Sequence, residues 1–504
     1  MLSRRELLRG GLGTAGLAVL GGPLWTSHAA TSWDRLRRAL AGDLVLPGDP
    51  TYATARQLDN GFFDAIQPAA VAYCVSVADV QVCLRFAQDQ GIATAVRSGG
   101  HSAAGYSTTT GLVLDVSRLN QVSVGAASVT LGPGAQGVDI LAALTPAGLS
   151  TVTGNCPTVC AGGYLQGGGI GPLARKFGVA SDHVVAADVV LADGRFVHCS
   201  DHCEPDLFWA LRGGGGGNFG VVTRFELLPT NTTRMVTFSL VWPGAQAASV
   251  IAAYLPWLRD ASHDLTAAAA LVNQNAAPGS QPIAVVSGGW LGGDPAGLTP
   301  LLDELVSAVG AAPLNRRVVD QSYHDALMAQ YGCSTLTVDQ CHRIGTDPTA
   351  LLPRHSFVVE RGRLIDDVLS DAAIGQAVSA FLADPVDGQF RVLSIAGLGG
   401  QINAVAESAT AYPHRDAQFY VSFTTGLNSF TPTPDERAAA QMWADGGFAV
   451  AARYGDGQGM VNFIDPRLPD WRRAYYAGNY DRLVRIKRHY DPHDFFRFPQ
   501  SIGA

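Results

Sequence analysis

Two glycine-rich segments, each carrying a nucleophile, constrain this chain most: Arg97-Ser98-Gly99-Gly100-His101-Ser102 and Gly154-Asn155-Cys156-Pro157-Thr158-Val159-Cys160-Ala161-Gly162-Gly163. Glycine lets backbone N–H groups approach a planar or phosphorylated ligand closely, because no Cβ intervenes and left-handed dihedrals cost little. A histidine and a cysteine in such loops can also bond covalently to an electrophilic group. Either segment alone is compatible with a structural or solvated side chain. Together they point to one cofactor held from both sides.

A chain of 504 residues can bury a large core and divide into two domains. Its net charge of −8 argues against a nucleic-acid partner, since phosphate binding needs clustered Lys and Arg. Ser3-Arg4-Arg5-Glu6-Leu7-Leu8, an uncharged Gly/Ala/Leu-rich stretch from Gly10 to Trp25 and the small-x-small sequence Ser27-His28-Ala29 read as a twin-arginine export signal over residues 1–29. A membrane anchor fits less well, because the apolar run is short and glycine-rich and no later run is long enough to span. In an exported protein, Cys199 with Cys203 and Cys333 with Cys341 are local disulfide candidates, although spacing does not decide pairing.

Hydrophobic periodicity gives a strand over 70–75, an amphipathic helix over 78–90 started by Ser76 and Asp79, and a strand over 94–97 running into the His101 loop. Gly61 to Ala65 reads as irregular. Further strands fall at 112–115 and 128–131, and Gly132-Pro133-Gly134 leads into a helix over 138–144 whose first amides could receive a phosphate. The apolar run 184–191, turned by Asp193-Gly194 into Phe196-Val197, reads as a hairpin. Gly215-Gly216-Gly217-Asn218-Phe219-Gly220 satisfies the dinucleotide pattern G-x-G-x-x-G, but its order is wrong. A helix over 207–212 capped by Asp206 precedes the glycines and a strand over 221–226 follows, whereas that fingerprint needs strand, glycines, helix. From about 234 to 454, long strand-like runs alternate with Ala/Leu-rich helices, which predicts an antiparallel sheet backed by helices with one face open to a substrate.

The motif order resembles the berberine-bridge-enzyme-like flavin oxidases, a branch of the vanillyl-alcohol-oxidase superfamily with a PCMH-type FAD-binding domain. The resemblance runs through the His101 and Cys156 segments, Gly167-Gly168-Gly169-Ile170-Gly171, Arg175-Lys176-Phe177-Gly178 and Asp206-Leu207-Phe208-Trp209-Ala210-Leu211-Arg212-Gly213-Gly214-Gly215. It resumes at Asn462-Phe463, Tyr475-Tyr476-Ala477-Gly478-Asn479-Tyr480-Asp481-Arg482-Leu483 and Gln500-Ser501-Ile502. It implies an α+β fold with a discontinuous FAD domain over 30–230, a substrate domain over 231–454 and a C-terminal segment over 455–504 returning to the FAD domain. By the same resemblance FAD is attached through both His101, at the 8α position, and Cys156, at the 6-position. Cys160 is chemically eligible, but the pattern G-x-C-P-T-V selects Cys156. The implied cofactor contacts are Arg97, Ser98, Gly99, Gly100 and Ser102; Gly154, Thr158, Val159, Gly162 and Gly163; Gly168, Gly169 and Gly171; Gly220, Val221 and Val222; and Asn462 and Asn479. Covalent flavin installed inside the cell also fits an export route that carries folded proteins.

Two departures from the family pattern bear on chemistry. Met460 stands where the family usually places a Tyr two residues before Asn462, so the expected proton acceptor is missing. Tyr420 is the candidate replacement, with Tyr476 and Tyr480 behind it. Tyr164 stands where plant relatives carry His. Ala161 occupies the place that the resemblance associates with oxygen access, and its small side chain favours an oxidase. His198-Cys199-Ser200-Asp201-His202-Cys203 has zinc-compatible ligands but no second pair at suitable spacing, so a disulfide or polar loop is the preferred reading and no metal is assigned. The expected activity is oxidation of an alcohol on a sugar, oligosaccharide or secondary metabolite, with O2 reduced to H2O2. A flavin-dependent cyclase or dehydrogenase and a non-catalytic secreted binding protein are the alternatives. The expected partners are a small-molecule substrate, O2 and the twin-arginine export machinery, with no nucleic acid and no membrane span.

Overall fold

The computed structural model describes residues 25–503, with side chains from 32 onward, so the export signal lies largely outside the described residues. Three sheets organise the chain. The first has order β1-β2-β4-β3, formed by β1 (Asp43–Val45), β2 (Ala70–Tyr73), β3 (Thr94–Arg97) and β4 (Leu112–Asp115). β4 lies parallel between β2 and β3 and is buried along its whole length, as the apolar run Leu112-Val113-Leu114 requires. The helix Val77–Gln90 is capped by the Ser76 hydroxyl, which accepts from Asp79 N at 3.1 Å, and packs Val80, Cys83, Leu84 and Ala87 into the core.

The second sheet is antiparallel, with order β5-β6-β9-β7-β8 from β5 (Val122–Val124), β6 (Val129–Leu131), β7 (Val184–Val190), β8 (Phe196–Ser200) and β9 (Val221–Leu227). The glycines at 213–220 lie between the helix Pro205–Leu211 and β9, the order that excludes the dinucleotide fingerprint. Asp206 does not cap that helix; Glu204 holds the cap position and Asp206 accepts from Arg482 at 2.8 Å. Gly61–Ala65, read as irregular, is a 3₁₀ turn started by the Asn60 side chain.

The third sheet has seven antiparallel strands in the order β13-β10-β12-β11-β15-β16-β14. These are β10 (Arg234–Pro243), β11 (Leu265–Asn273), β12 (Ile283–Trp290), β13 (Asn315–Ser322), β14 (Val358–Ile365), β15 (Gln389–Gly397) and β16 (Phe419–Leu427). Its residues alternate with period two. One set packs against the helices Ala247–Asp260, Pro295–Val309, Asp371–Leu382 and Pro434–Tyr454, and the other faces the glycine-rich half of the molecule.

Buried Arg175 fastens the two halves. Its guanidinium donates to Leu265 O at 2.8 Å and Leu258 O at 2.9 Å, and also to Leu398 O. The C-terminal segment is tied to the glycine turn: Lys487 Nζ donates to Asn218 O at 2.7 Å, and Ile502 N donates to Asn218 Oδ1 at 2.8 Å. Cys333 and Cys341 form a disulfide, whereas Cys199 is buried and Cys203 exposed as free thiols. Among the described residues no helix is long and apolar enough to cross a membrane.

Candidate active site

A cavity of 1570 Å³ separates the glycine-rich segments from the open face of the seven-stranded sheet. That exceeds the roughly 300–1,000 Å³ of a site for one drug-sized ligand, so a large cofactor and a substrate fit together. Ser98, Gly99, Gly100, His101 and Ser102 line one wall, joined by Gly154, Cys156, Val159, Gly162 and Gly163. Gly171, Gly220, Val222 and Asn462 complete the set of expected contacts that reach it.

The two nucleophile loops lie directly against each other. A Cβ on Gly99 would sit 2.9 Å from Cys160 Sγ and 3.1 Å from Thr158 O, so only glycine allows this approach. As a result His101 Nε2 lies 3.0 Å from Thr158 Oγ1, and Cys156 Sγ lies 3.6 Å from the same oxygen. Asp59 faces the other side of the imidazole, with Oδ2 at 3.8 Å from Nδ1. Burial lowers the pKa of His101, partly offset by Asp59, which keeps the ring neutral and nucleophilic. Burial raises the Cys156 thiol, opposed by its hydrogen bonds with Thr158.

On the opposite wall the sheet presents Glu360 and Tyr420. Their strands are paired so that Leu364 faces Tyr420, Gly362 faces Ser422 and Glu360 faces Thr424, all on the cavity side. Gly362 carries no side chain, and the Tyr420 ring occupies the space a Cβ there would need, with Oη 2.7 Å from that position. Ser422 and Tyr420 lie close to Glu360 and act to lower its pKa. Burial raises the Glu360 pKa, and burial together with the Glu360 charge holds Tyr420 well above the usual phenol range. Tyr420 is therefore a donor, and Glu360 is the group able to take a proton. Phe463 stacks on the Tyr420 ring at 4.8 Å between centroids and fixes its plane.

Residues 68–200 match the family model described as FAD binding domain, and residues 460–503 match that described as berberine and berberine like. The chain is 29% identical to (R)-6-hydroxynicotine oxidase of Paenarthrobacter nicotinovorans, over 92% of this chain and 98% of that protein. It is 27% identical to glucooligosaccharide oxidase of Sarocladium strictum, over 85% of this chain and 86% of the relative. The fold matches the solved Physcomitrella patens BBE-like 1 with a TM-score of 0.82 at 24% identity, covering 94% of this chain and 98% of that one. These matches place an FAD-binding domain and a berberine-like C-terminal segment in the chain, and the fold is that of the solved berberine-bridge-enzyme-like structures.

The cavity suits FAD. The Ser107 and Thr108 hydroxyls are buried on its wall without a hydrogen-bond partner, as expected of groups that a polar ligand satisfies. The residues that would hold it are Ser98 to Ser102, Cys156, Gly162 and Gly163.

Several expected contacts lie elsewhere. Arg97 is spent on Asp115 and on Ala55 O at 2.7 Å, a buried ion pair beneath the loop. Thr158 sits behind His101 and Cys156. Gly168 packs on Tyr412, Gly169 donates to Asn462 Oδ1 at 3.2 Å, and Val221 is fully buried facing away from the cavity. Asn479 donates to Glu407 O at 3.0 Å and to Thr410 O. Tyr476 and Tyr480 are removed from the cavity: Tyr476 donates to Gly214 O at 3.1 Å and stacks on Tyr480, whose hydroxyl accepts from Arg472 at 3.2 Å. The first two amides of the helix Gly137–Leu144 are taken within the protein, Gly137 N and Val138 N donating to Val159 O and Pro157 O at 3.1 and 3.0 Å. Ala161 is 2% exposed in the core, outside the main cavity, whereas Val159 lines it. Met460 is buried core. Sequence reasoning missed Glu360: in Val358-Val359-Glu360-Arg361-Gly362-Arg363-Leu364-Ile365 it is one of three charged residues in a run without alternation, so nothing local singles it out.

Proposed function

We propose that the chain is an exported flavoprotein oxidase with FAD attached through His101 and Cys156, oxidising a carbon that bears a hydroxyl group on a polyhydroxylated substrate. The observation that carries this reading is the Glu360–Tyr420 pair facing, across one cavity, the wall that holds His101 and Cys156. Bound FAD supplies the hydride acceptor and returns the electrons to O2 as H2O2. Glu360 takes the proton of the substrate hydroxyl as hydride leaves the carbon, and its raised pKa brings it nearer to neutral pH, where a general base works best. Tyr420 and Ser422 hold the carboxylate in place, and Phe463 holds Tyr420.

Substrate class follows from the floor. Thr237, Ser239, Ser287, Ser394, Ser422 and Thr424 line the cavity, with Ser239 opposite Ser287 and Ser394 opposite Ser422 in register. Hydroxyls that both donate and accept suit a sugar chain, and this supports an oligosaccharide over an apolar substrate.

The test is to mix purified protein with neutral oligosaccharides anaerobically, follow bleaching of the flavin absorbance, then admit air and measure peroxide. Bleaching followed by one peroxide per flavin is expected. Bleaching without reoxidation by air would exclude an oxidase, and a colourless protein would exclude the flavoprotein reading altogether.

A further inference from the structure

The Cys156 thiol is pushed up by burial, yet the proposed second attachment needs a thiolate. Among the described residues no lysine or arginine side chain bonds to it. Its polar neighbour is Thr158 Oγ1 at 3.6 Å, within reach of a sulfur hydrogen bond, and that oxygen lies 3.0 Å from His101 Nε2. Thr158 is buried and its hydroxyl contacts both nucleophiles, so sulfur, oxygen and nitrogen form one chain. The imidazole at the end of this chain is kept neutral by burial and can accept a proton. Asp59, Arg343 and His355 are the charged or titratable groups that face it, and Asp59 lies nearest Nδ1.

We propose that Thr158 is the proton relay of the second flavin attachment: its hydroxyl takes the proton of the Cys156 thiol while giving its own to His101 Nε2. This rests on the proposed attachment at both residues. The relay leaves Nε2 unbonded to flavin, so the histidine link forms through Nδ1, and its proton leaves towards Asp59, the nearest carboxylate at 3.8 Å, through one bridging water. Each attachment balances in the same way. The N–H or S–H bond and one ring-system C–H bond break, one N–C or S–C bond forms, and the two electrons left on the flavin reduce O2 to H2O2 with the two released protons. Thr158 acts through Cys156 and is a positioning residue; it neither contacts the substrate nor lines the cavity.

The experiment measures attachment, independently of turnover. Full-length wild type, Thr158→Val, Thr158→Ala and Thr158→Ser are purified and digested, and the flavin occupancies of the His101 and Cys156 peptides are read separately by mass spectrometry. They are read at harvest and after incubation with added FAD in air. Valine and alanine are expected to leave His101 occupancy at the wild-type level and to lower Cys156 occupancy at harvest at least fivefold, with serine restoring it. Incubation at higher pH, which favours the thiolate without a relay, is expected to raise Cys156 occupancy in the valine and alanine variants. Wild-type occupancy of Cys156 in valine or alanine, or a serine variant as poor as valine, would overturn the relay while leaving double attachment intact. If neither hydroxyl-free variant folds, failure of serine to match wild type overturns it equally. Wild type lacking flavin on Cys156 would overturn double attachment itself, and the relay with it.

Discussion

Tyr420 extends over Gly362 on the neighbouring strand towards Glu360, its Oη 2.7 Å from where a Gly362 Cβ would stand, so the ring uses space left by a residue with no side chain. The phenol donates and the carboxylate accepts, which leaves the carboxylate as the base. Glu360→Gln keeps the shape and removes the basicity. Flavin content is expected to stay at the wild-type level while anaerobic flavin reduction by substrate slows by ~10²–10⁴, the usual worth of a general base.

The pH dependence follows with a definite sign. The base works only when ionised, and burial raises its pKa, so flavin reduction is expected to fall as pH drops, beginning above the range of an ordinary carboxylate. Tyr420→Phe removes a hydrogen bond that lowers this pKa, so the acidic limb should move to still higher pH. Stopped-flow reduction rates between about pH 4 and 9 check both, and an unmoved limb in the phenylalanine variant would separate Tyr420 from Glu360.

Gly362→Ala places a methyl group 2.5 Å from Val421 O and 2.7 Å from Tyr420 Oη. One contact is backbone, so the strand pair cannot yield cheaply. A loss of ~1–3 kcal/mol in stability is expected, together with displacement of Tyr420. Thermal melts and the pH profile of flavin reduction report the two effects separately.

Much of this architecture was legible in the sequence because its signals are local. The strand–helix–strand unit ending at His101, the hairpin turned at Asp193-Gly194 and the alternating runs of the seven-stranded sheet each follow from periodicity and turn residues within a short window. What the sequence hid is set by pairing over long distances. Glu360 and Tyr420 come together through strand register, and nothing near either residue marks the partner. The first two amides of the helix Gly137–Leu144 looked free for a phosphate, but the 157–159 backbone accepts from both. Tyr476 and Asn479 belong to a motif whose hydrogen bonds go to carbonyls of distant loops, so their pattern marks a packing role.

Denaturation in acid tests the flavin linkage. Wild-type protein is expected to precipitate yellow, with one flavin joining the His101 and Cys156 peptides. Cys156→Ala should keep the histidine link alone. His101→Ala should keep the cysteine link, formed more slowly because Thr158 has lost its acceptor, and the double variant should release its flavin into the supernatant.

Export is testable without any structural premise. Replacing Arg4 and Arg5 by lysine is expected to hold flavin-bearing precursor inside the cell, because the export pathway reads the arginine pair as an address. Secretion of that variant at the wild-type level would reject the assignment.

Ala161 separates oxygen access from packing. Its amide donates to Ala135 O at 2.9 Å, it is 2% exposed, and its neighbours are core residues such as Leu131, Val152 and Leu165. Ala161→Leu adds far more volume than the small void of about 20 Å³ beside it can take and is expected to cost ~1–3 kcal/mol, visible as a lower melting temperature. The flavin in the folded fraction should reoxidise in air as fast as in wild type, because the new side chain does not enter the cavity. Val159, three residues beyond Cys156, is the branched apolar side chain of this segment that does line it. Val159→Leu should consequently change reoxidation with little loss of stability. A leucine at 161 that slowed reoxidation without lowering the melting temperature would place the oxygen path through the core beside Ala161 instead.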